Sequence, residues 1–261
     1  MNKRGLLGRL LKDESVTRKF GIVCCLLLLS VVFSFLSSKF ATGSNWMNIL
    51  QQAAINGCIA VGMTLVVITG GIDLSVGSVM ALSAMIMAML MKAGVSPVAA
   101  LAIGILVGAG GGALNGVLIA QLNLQPFLVT MGMMSLYRGL TLIISDGLPV
   151  RRFSSSFVNF MASLNMSFPI PIIVLLLFAT VIFIVMRYSL YGQHVFAIGG
   201  NEEATRLSGI NTKAVKIATY ALSGFAACLA GIIYLGRLAA ADPQAGASYE
   251  MNGIAAAAIG G

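Results

Sequence analysis

Residues 170–186 read IPIIVLLLFATVIFIVM, and residues 187–213 continue as RYSLYGQHVFAIGGNEEATRLSGINTK. The first run carries no charge and has the length of a membrane span, for which roughly 17–25 apolar residues suffice. The second is polar, holds the only histidine and contains the signals of a short capped helix. Asn201 is a favourable N-cap, and Glu202 and Glu203 fall in the first turn, where the helix dipole favours negative charge. Arg206 stands four residues after Glu202, so the two are expected to pair on one face. Gly209 is the expected stop. Ala204 and Leu207 form a small apolar face. A helix of about two turns is not stable alone in water and needs a surface to dock on. That surface is either a separate protein at the membrane or, for an ordinary interhelical loop, the chain itself.

The same alternation of apolar runs and short polar connections extends along all 261 residues, which are 58% hydrophobic and only 9% charged. Soluble domains carry about 25% charged residues, so the chain reads as a polytopic, all-α bundle of transmembrane helices. Seven spans are expected: Phe20–Leu36, Ala53–Thr69, Val76–Met91, Val98–Ile119, Phe127–Ile144, Ile170–Met186 and Ala214–Leu235. An eighth starts near Ile254. Around Gly70–Asp73 the second and third could instead form one broken helix or a re-entrant pair. The first span follows a basic tail, residues 1–19, and is too long for a signal-peptide core of about 7–15 residues, so it is expected to stay as an uncleaved helix. Residues 20–261 then form the membrane domain, with the connection 187–213 inside it.

Net charge is +8, but the cations are distributed over tail and loops, which points to membrane orientation rather than to nucleic acid. The tail contributes Lys3, Arg4, Arg9, Lys12, Arg18 and Lys19, and the 187–216 stretch contributes Arg187, Arg206, Lys213 and Lys216. The opposite side holds Lys39, Lys92, Arg151, Arg152 and Arg237. The excess places the N-terminus in the cytoplasm, and six crossings bring the 187–213 connection back to the compartment that contains ATP. Trp46 and Tyr188 stand near expected membrane edges as interfacial anchors, and Ser154–Ser167 reads as a polar connection on the outer face.

Three features inside the apolar runs stand out. Gly104, Gly108, Gly112 and Gly116 recur every four residues and line one helix face, where they allow a second backbone to approach closely. Asn115 in the same run needs a partner across the bundle. Asp73, in ITGGIDLSVGS (68–78), is the only acidic residue between Glu14 and Asp146. It is either a functional carboxylate at membrane depth or, with Ser75, a cap on the next helix. Arg138 is a second embedded charge, facing a polar cavity or a carboxylate. Asp146, before Gly147 and Pro149, reads as a turn residue.

The chemistry of an enzyme is missing. There is no G-x-x-x-x-G-K-[ST] phosphate loop, no H-E-x-x-H and no G-x-S-x-G. Cys24, Cys25, Cys58 and Cys228 all lie in apolar runs with no C-x-x-C pair, so no metal site is expected. No cofactor is expected on this chain; if ATP drives it, the ATPase is another chain.

GMTLVVITGGIDLSVGS (62–78), LNGVLIAQLNLQPFLVTMGMMSLYRGL (114–140), AIGGNEEATRLSGI (197–210) and RLAAADPQAGASYEMNGIAA (237–256) together resemble the membrane permeases of bacterial ABC importers for monosaccharides, the ribose permeases above all. The resemblance runs from about Asn48 onward. It implies a multi-pass protein of the bacterial inner membrane, working as a homodimer or paired permease. The partners it implies are cytoplasmic ABC ATPase subunits that bind ATP and Mg, and a periplasmic sugar-binding protein. It further implies that Gly199, Gly200, Asn201, Glu202, Arg206, Ser208 and Gly209 couple the permease to the ATPase. The sugar itself is not legible. An acidic residue usual after Tyr-Glu-Leu in such permeases is Asn252 here, after Tyr249, Glu250 and Met251. Related permeases also run through further membrane segments, so a chain ending at Gly261 is expected to be a C-terminal truncation, unstable or inactive alone. The competing reading is an ion-coupled secondary transporter of a small polar solute, which calls for several ionisable residues at mid-membrane; only Arg138 and Asp73 qualify.

Overall fold

The computed structural model describes residues 14–167 and 170–260. Lys3, Arg4, Arg9 and Lys12 of the basic tail, and Gly261, lie outside the described residues. The order is α1 (Glu14–Leu36), α2 (Gly43–Ile68), α3 (Val76–Lys92), α4 (Pro97–Gln121), α5 (Pro126–Ile144), β1 (Val150–Arg151), α6 (Ser155–Ser167), α7 (Ile170–Tyr188), α8 (Leu190–Gly200), α9 (Glu202–Leu207), α10 (Thr212–Leu238), β2 (Ala240–Ala241) and α11 (Tyr249–Gly260). The all-α expectation holds apart from the two-residue strands. Among the described residues α2, α4, α5, α7 and α10 are long and apolar enough to cross a membrane, while the apolar stretches Phe20–Leu36 and Val76–Lys92 are shorter.

The chain divides into two compact units at Leu50/Gln51, inside α2. In the first, α1 exposes Leu26, Leu27, Leu28, Val31 and Phe35. Its turn into α2 is held by aromatic contacts, Phe33 tilted against Phe40 at 5.6 Å and Phe40 edge-on to Trp46 at 5.9 Å. Asn45 Nδ2 donates to the carbonyl of Phe40 at 2.8 Å. Helix α2 starts ten residues before the expected Ala53. Polar Asn45, Asn48, Gln51 and Gln52 break the apolar run without breaking the helix, because asparagine and glutamine side chains leave the backbone hydrogen-bond ladder intact.

The second unit is built on the contact of α4 with α10, where the two backbones nearly touch. A Cβ on Gly112 would lie 2.1 Å from the carbonyl oxygen of Tyr220, and one on Gly116 2.7 Å from Cα of Ile217. One on Gly108 would lie 2.6 Å from Cβ of Cys228, and one on Gly224, answering from α10, would run into the carbonyl of Gly108. Gly104 leaves this seam and receives the thioether of Met87 on α3 instead, while Gly110 faces open space. Van der Waals contact of this kind replaces the hydrophobic effect, which does not operate between helices in lipid.

Helix α3 lies in the centre, with most of its surface buried, among them Met80, Met85 and Met87. Helix α7 is the opposite case. Only Pro171, Phe178 and Ile182 are buried, the last two against Leu65 and Ala226, and Leu176, Leu177, Val181 and Phe183 point outward. Segment 154–167 is a helix, α6, and not the polar connection expected. Its Phe157 and Met161, four apart, bury on one face with Phe153, and the serines and asparagines around them hide the periodicity.

Two contacts fix which helix ends share a side. Val150 pairs with Ala241 and Arg151 with Ala240 in an antiparallel bridge, so the C-terminal ends of α5 and α10 lie together. Gly199 sits on the carbonyl of Ile68, from which its Cβ would be 2.1 Å, so the end of α2 lies with α8.

Replacing Gly112 by alanine is expected to cost about 1–3 kcal/mol through overpacking, read as a lower melting temperature of the purified protein in detergent. Gly110→Ala, two residues away in open space, is expected to leave melting unchanged.

Candidate functional site

Two polar constructions stand out against the apolar bundle. The first is the surface pair α8–α9. Ser189 caps α8, accepting from Gly192 N at 3.2 Å. Gly192 packs on the carbonyl of Met186, which turns the chain sharply out of α7. Val195, Ile198 and Val215 bury together against Ile68 and Met186, and Tyr191 Oη bonds Thr219 Oγ1 at 2.9 Å. Helix α8, missed in the sequence because Gly192, Gly199 and Gly200 weaken its propensity, is thereby seated on α2, α7 and α10.

Asn201 ends α8 and begins α9, and its Oδ1 accepts from Ala204 N at 2.9 Å. At the far end Gly209 N donates to Arg206 O at 3.0 Å and Ile210 N to Thr205 O at 3.4 Å. This double reverse bond needs a left-handed residue, and Gly209, with φ of 86°, provides it. Ser208 is the C-cap and its Oγ donates to Ala204 O at 2.9 Å. Gly200 lies in open space.

One expectation about α9 is corrected. Arg206 does not pair with Glu202; it pairs with Glu203, through Nε at 3.1 Å and Nη2 at 2.5 Å. Glu202 is drawn away to Lys216 Nζ at 2.5 Å, a residue that α10 brings alongside only in the folded chain. On the chain itself α9 is held by Thr205, which is buried, whereas Leu207 is 75% exposed. Its outward face therefore presents Glu203, Arg206 and Leu207. The hydrogen bond and charge of Arg206 hold the Glu203 carboxyl below the usual carboxylate range. The pair is intact above the ordinary glutamate range and is lost as pH falls through the lowered value of Glu203. Both groups are in water, so the pair fixes geometry more than stability.

The second construction is buried. Asp73 is 1% exposed. Its Oδ1 accepts from Ser75 N at 3.0 Å and Ser75 Oγ at 2.7 Å, and its Oδ2 accepts from Ser223 Oγ on α10 at 2.9 Å. Ser75 Oγ in turn accepts from Asn115 Nδ2 on α4 at 2.7 Å. Tyr137 Oη on α5 lies 2.8 Å from Gly111 O and 3.3 Å from Asn115 Oδ1. Thr130 Oγ1 lies 3.2 Å from Ile72 O. The node thus ties the turn before α3 to α4, α5 and α10. Ser75 stands at the N-cap of α3, yet its side chain makes no capping bond, because the hydroxyl is committed to Asp73 and Asn115. Ser223, Tyr137 and Thr130 were not singled out in the sequence; a serine beside glycine in an apolar run, as at 223–224, was the available signal.

Arg138 belongs to neither construction. Its Nη1 donates to the carbonyls of Pro243 and Ala245 at 2.6 and 2.7 Å. Asp242 and Glu250 act on it only through space, and it makes no ion pair among the described residues. Asp146 is left-handed, φ 50°, and closes the turn after α5 with Gly147. Cys58 and Cys228 are buried, Cys24 and Cys25 exposed, and all are free thiols. Among the described residues no cluster of three or more His, Cys, Asp or Glu is placed to hold a metal.

Residues 45–261 match the family described as the branched-chain amino acid transport system / permease component. The chain belongs to this family. It is 40% identical over 250 residues to the ribose import permease protein of Bacillus subtilis (strain 168), covering 95% of this chain and 78% of that one. It is 41% identical over 240 residues to the ribose import permease protein of Escherichia coli (strain K12), covering 90% and 75%. With the D-allose transport system permease protein of the same strain it shares 39% over 245 residues, covering 93% and 75%. No solved structure matches. These relatives are permeases and not enzymes, and with its five long apolar helices the permease described here is a multi-pass membrane protein.

In this permease Ser223→Ala leaves Asp73 Oδ2 without its donor. The expected cost is about 1–3 kcal/mol, visible as earlier thermal unfolding in detergent. Arg206→Ala, which removes an exposed pair, is expected to leave the melting temperature little changed.

Proposed function

We propose that this permease is the transmembrane subunit of an ATP-driven importer that moves a monosaccharide, ribose or a close relative, across the bacterial inner membrane by alternating access. The observation that carries the reading is the 38–41% identity to ribose and D-allose permeases over most of the chain. ATP and Mg are bound and used by a separate cytoplasmic ATPase, since this chain has no phosphate loop. A second permease copy completes the membrane part, and a periplasmic sugar-binding protein delivers the solute.

The topology proposed has the N-terminus in the cytoplasm and seven crossings, α1, α2, α3, α4, α5, α7 and α10. The cation asymmetry supports it, and so does parity. Odd-numbered crossings end outside, and the bridge between β1 and β2 brings together the ends of the fifth and the seventh. Even-numbered crossings end inside, and the end of the second lies against α8. A pocket lined by Lys92, Arg151, Arg152 and Phe153 then opens on the outer face, where a soluble protein rich in carboxylates would fit.

On this reading α8–α9, within the 187–213 connection, is the contact to the ATPase. A short helix laid in a partner's groove transmits rigid-body motion when its other face is fixed to the bundle. Helix α9 meets that condition: Thr205 and the Glu202–Lys216 pair hold it to the chain, and Glu203, Arg206 and Leu207 remain outward. The ion-coupled alternative has less support. Its two candidate charges, Asp73 and Arg138, are already engaged by hydroxyls, a backbone amide and carbonyls.

Replacing Arg206 by glutamate and Leu207 by aspartate together is expected to lower sugar-stimulated ATPase of the reconstituted transporter at least tenfold, with permease still in the membrane at wild-type level. Undiminished stimulation would show that α9 is not the coupling contact. Loss of uptake on dissipating the proton gradient, with ATP present, would favour the ion-coupled reading.

A further inference from the structure

After α10 the chain does not continue outward. Ala239 takes a left-handed turn, φ 49°, β2 pairs with β1, and Asp242–Ser248 then re-enters the bundle as irregular backbone. Its far end rests on the first turn of α3. A Cβ on Gly77 would lie 2.1 Å from the carbonyl of Gly246 and 2.9 Å from Glu250 Oε2. At ~1.5 Å per residue, Gly77 lies about 22 Å along the helix from Lys92 at the outer end of α3, so the strap reaches the middle of the bundle. Irregular backbone at that depth is tolerated only when its carbonyls are satisfied. Arg138 supplies the donors, bonding Pro243 and Ala245.

What the strap leaves uncovered is mostly polar, with Ala247 and Met251 exposed among the polar side chains. Gln244, Ser248 and Asn252 are exposed, and Asp242 and Glu250 are partly so. Asp242 Oδ1 accepts from Gln244 N at 2.8 Å. The side chains of Gln244, Ser248, Glu250 and Asn252 make no hydrogen bond to another described residue. The outward face of α7, with Leu176, Leu177, Val181 and Phe183, is what this chain turns to lipid. Amides, a hydroxyl and carboxylates at mid-bundle belong on a side that meets water or solute, and transporter sites form where helices are interrupted near the midplane.

We propose that the Asp242–Asn252 face lines the translocation path and is the point where this chain holds a polyhydroxylated solute. Gln244 and Asn252 both donate to and accept from hydroxyls, Ser248 does the same, and Glu250 accepts. Arg138 is a positioning residue that fixes the strap through its carbonyls. The assignment rests on the sugar-importer reading.

The test uses the assembled transporter with its ATPase and binding protein. The exposed Cys24 and Cys25 are replaced by alanine, and Gln244→Cys, Ser248→Cys and Asn252→Cys are introduced singly, with Leu177→Cys as the lipid-facing control. A hydrophilic methanethiosulfonate reagent is expected to label the three strap positions at least tenfold faster than the control, and D-ribose to slow that labelling at least threefold. Gln244→Ala is expected to raise the KM of uptake at least fivefold with kcat little changed. Arg138→Met is expected to abolish protection by ribose, and Arg138→Lys to restore part of it. Labelling as slow as at the control, or fast labelling that ribose does not slow together with an unchanged KM, would overturn the assignment. If the unaltered transporter takes up no ribose, the importer reading fails; labelling without sugar still separates an aqueous strap from a lipid-facing one.

Discussion

The close approach of α4 and α10 is the constraint on which the rest depends. Gly108, Gly112 and Gly116 meet Gly224 and the backbone of 217–220 with no room for a single added methyl. That contact sets the depth and rotation of α10, and α10 carries Ser223 to Asp73, Thr219 to Tyr191 and Lys216 to Glu202. A shift of one residue along the seam would separate all three pairs. The surface pair α8–α9 and the buried node are thus read from one helix, one at its first turns and one near its middle. Rigid transmission between a surface element and a bundle needs such a shared member.

Charge inside the bundle is handled without embedded ion pairs among the described residues. Asp73 accepts from two hydroxyls and one backbone amide, and Arg138 donates to two backbone carbonyls. Neutral partners of this kind satisfy a group without bringing in a second costly charge. Asp73 lies where helical backbone is interrupted, at 69–75, and Arg138, from within α5, bonds the interruption at 239–248. The two embedded charges therefore serve as fasteners for the two non-helical passages, consistent with the rule that irregular backbone in a membrane must be internally satisfied.

Much of the layout was legible because its causes are local. Among the described residues five of the expected apolar runs fall on helices long and apolar enough to cross a membrane, since the apolar length of a span is dictated by the bilayer. Asn201 and Gly209 bound α9 because capping and left-handed φ are properties of one or two residues. The glycine spacing on α4 announced a seam. Helices α6 and α8 were not legible. In α6 the buried Phe157 and Met161 stand among serines and asparagine, and in α8 three glycines argue against a helix that tertiary seating on Ile68 and Met186 nevertheless holds.

The sequence by itself determined the class of protein, the apolar runs of its long helices, the caps of α9 and the residues that carry the family resemblance. Those follow from hydropathy, backbone propensity and short-range hydrogen bonds, whose partners lie within a few residues. Only the tertiary structure decided the partners. Glu202 goes to Lys216, Arg206 to Glu203, Asn115 to Ser75, and Arg138 to the carbonyls of a strap more than a hundred residues away. A buried or docked polar group bonds whatever the packing of glycine against backbone brings within 3 Å, and sequence spacing does not encode that distance.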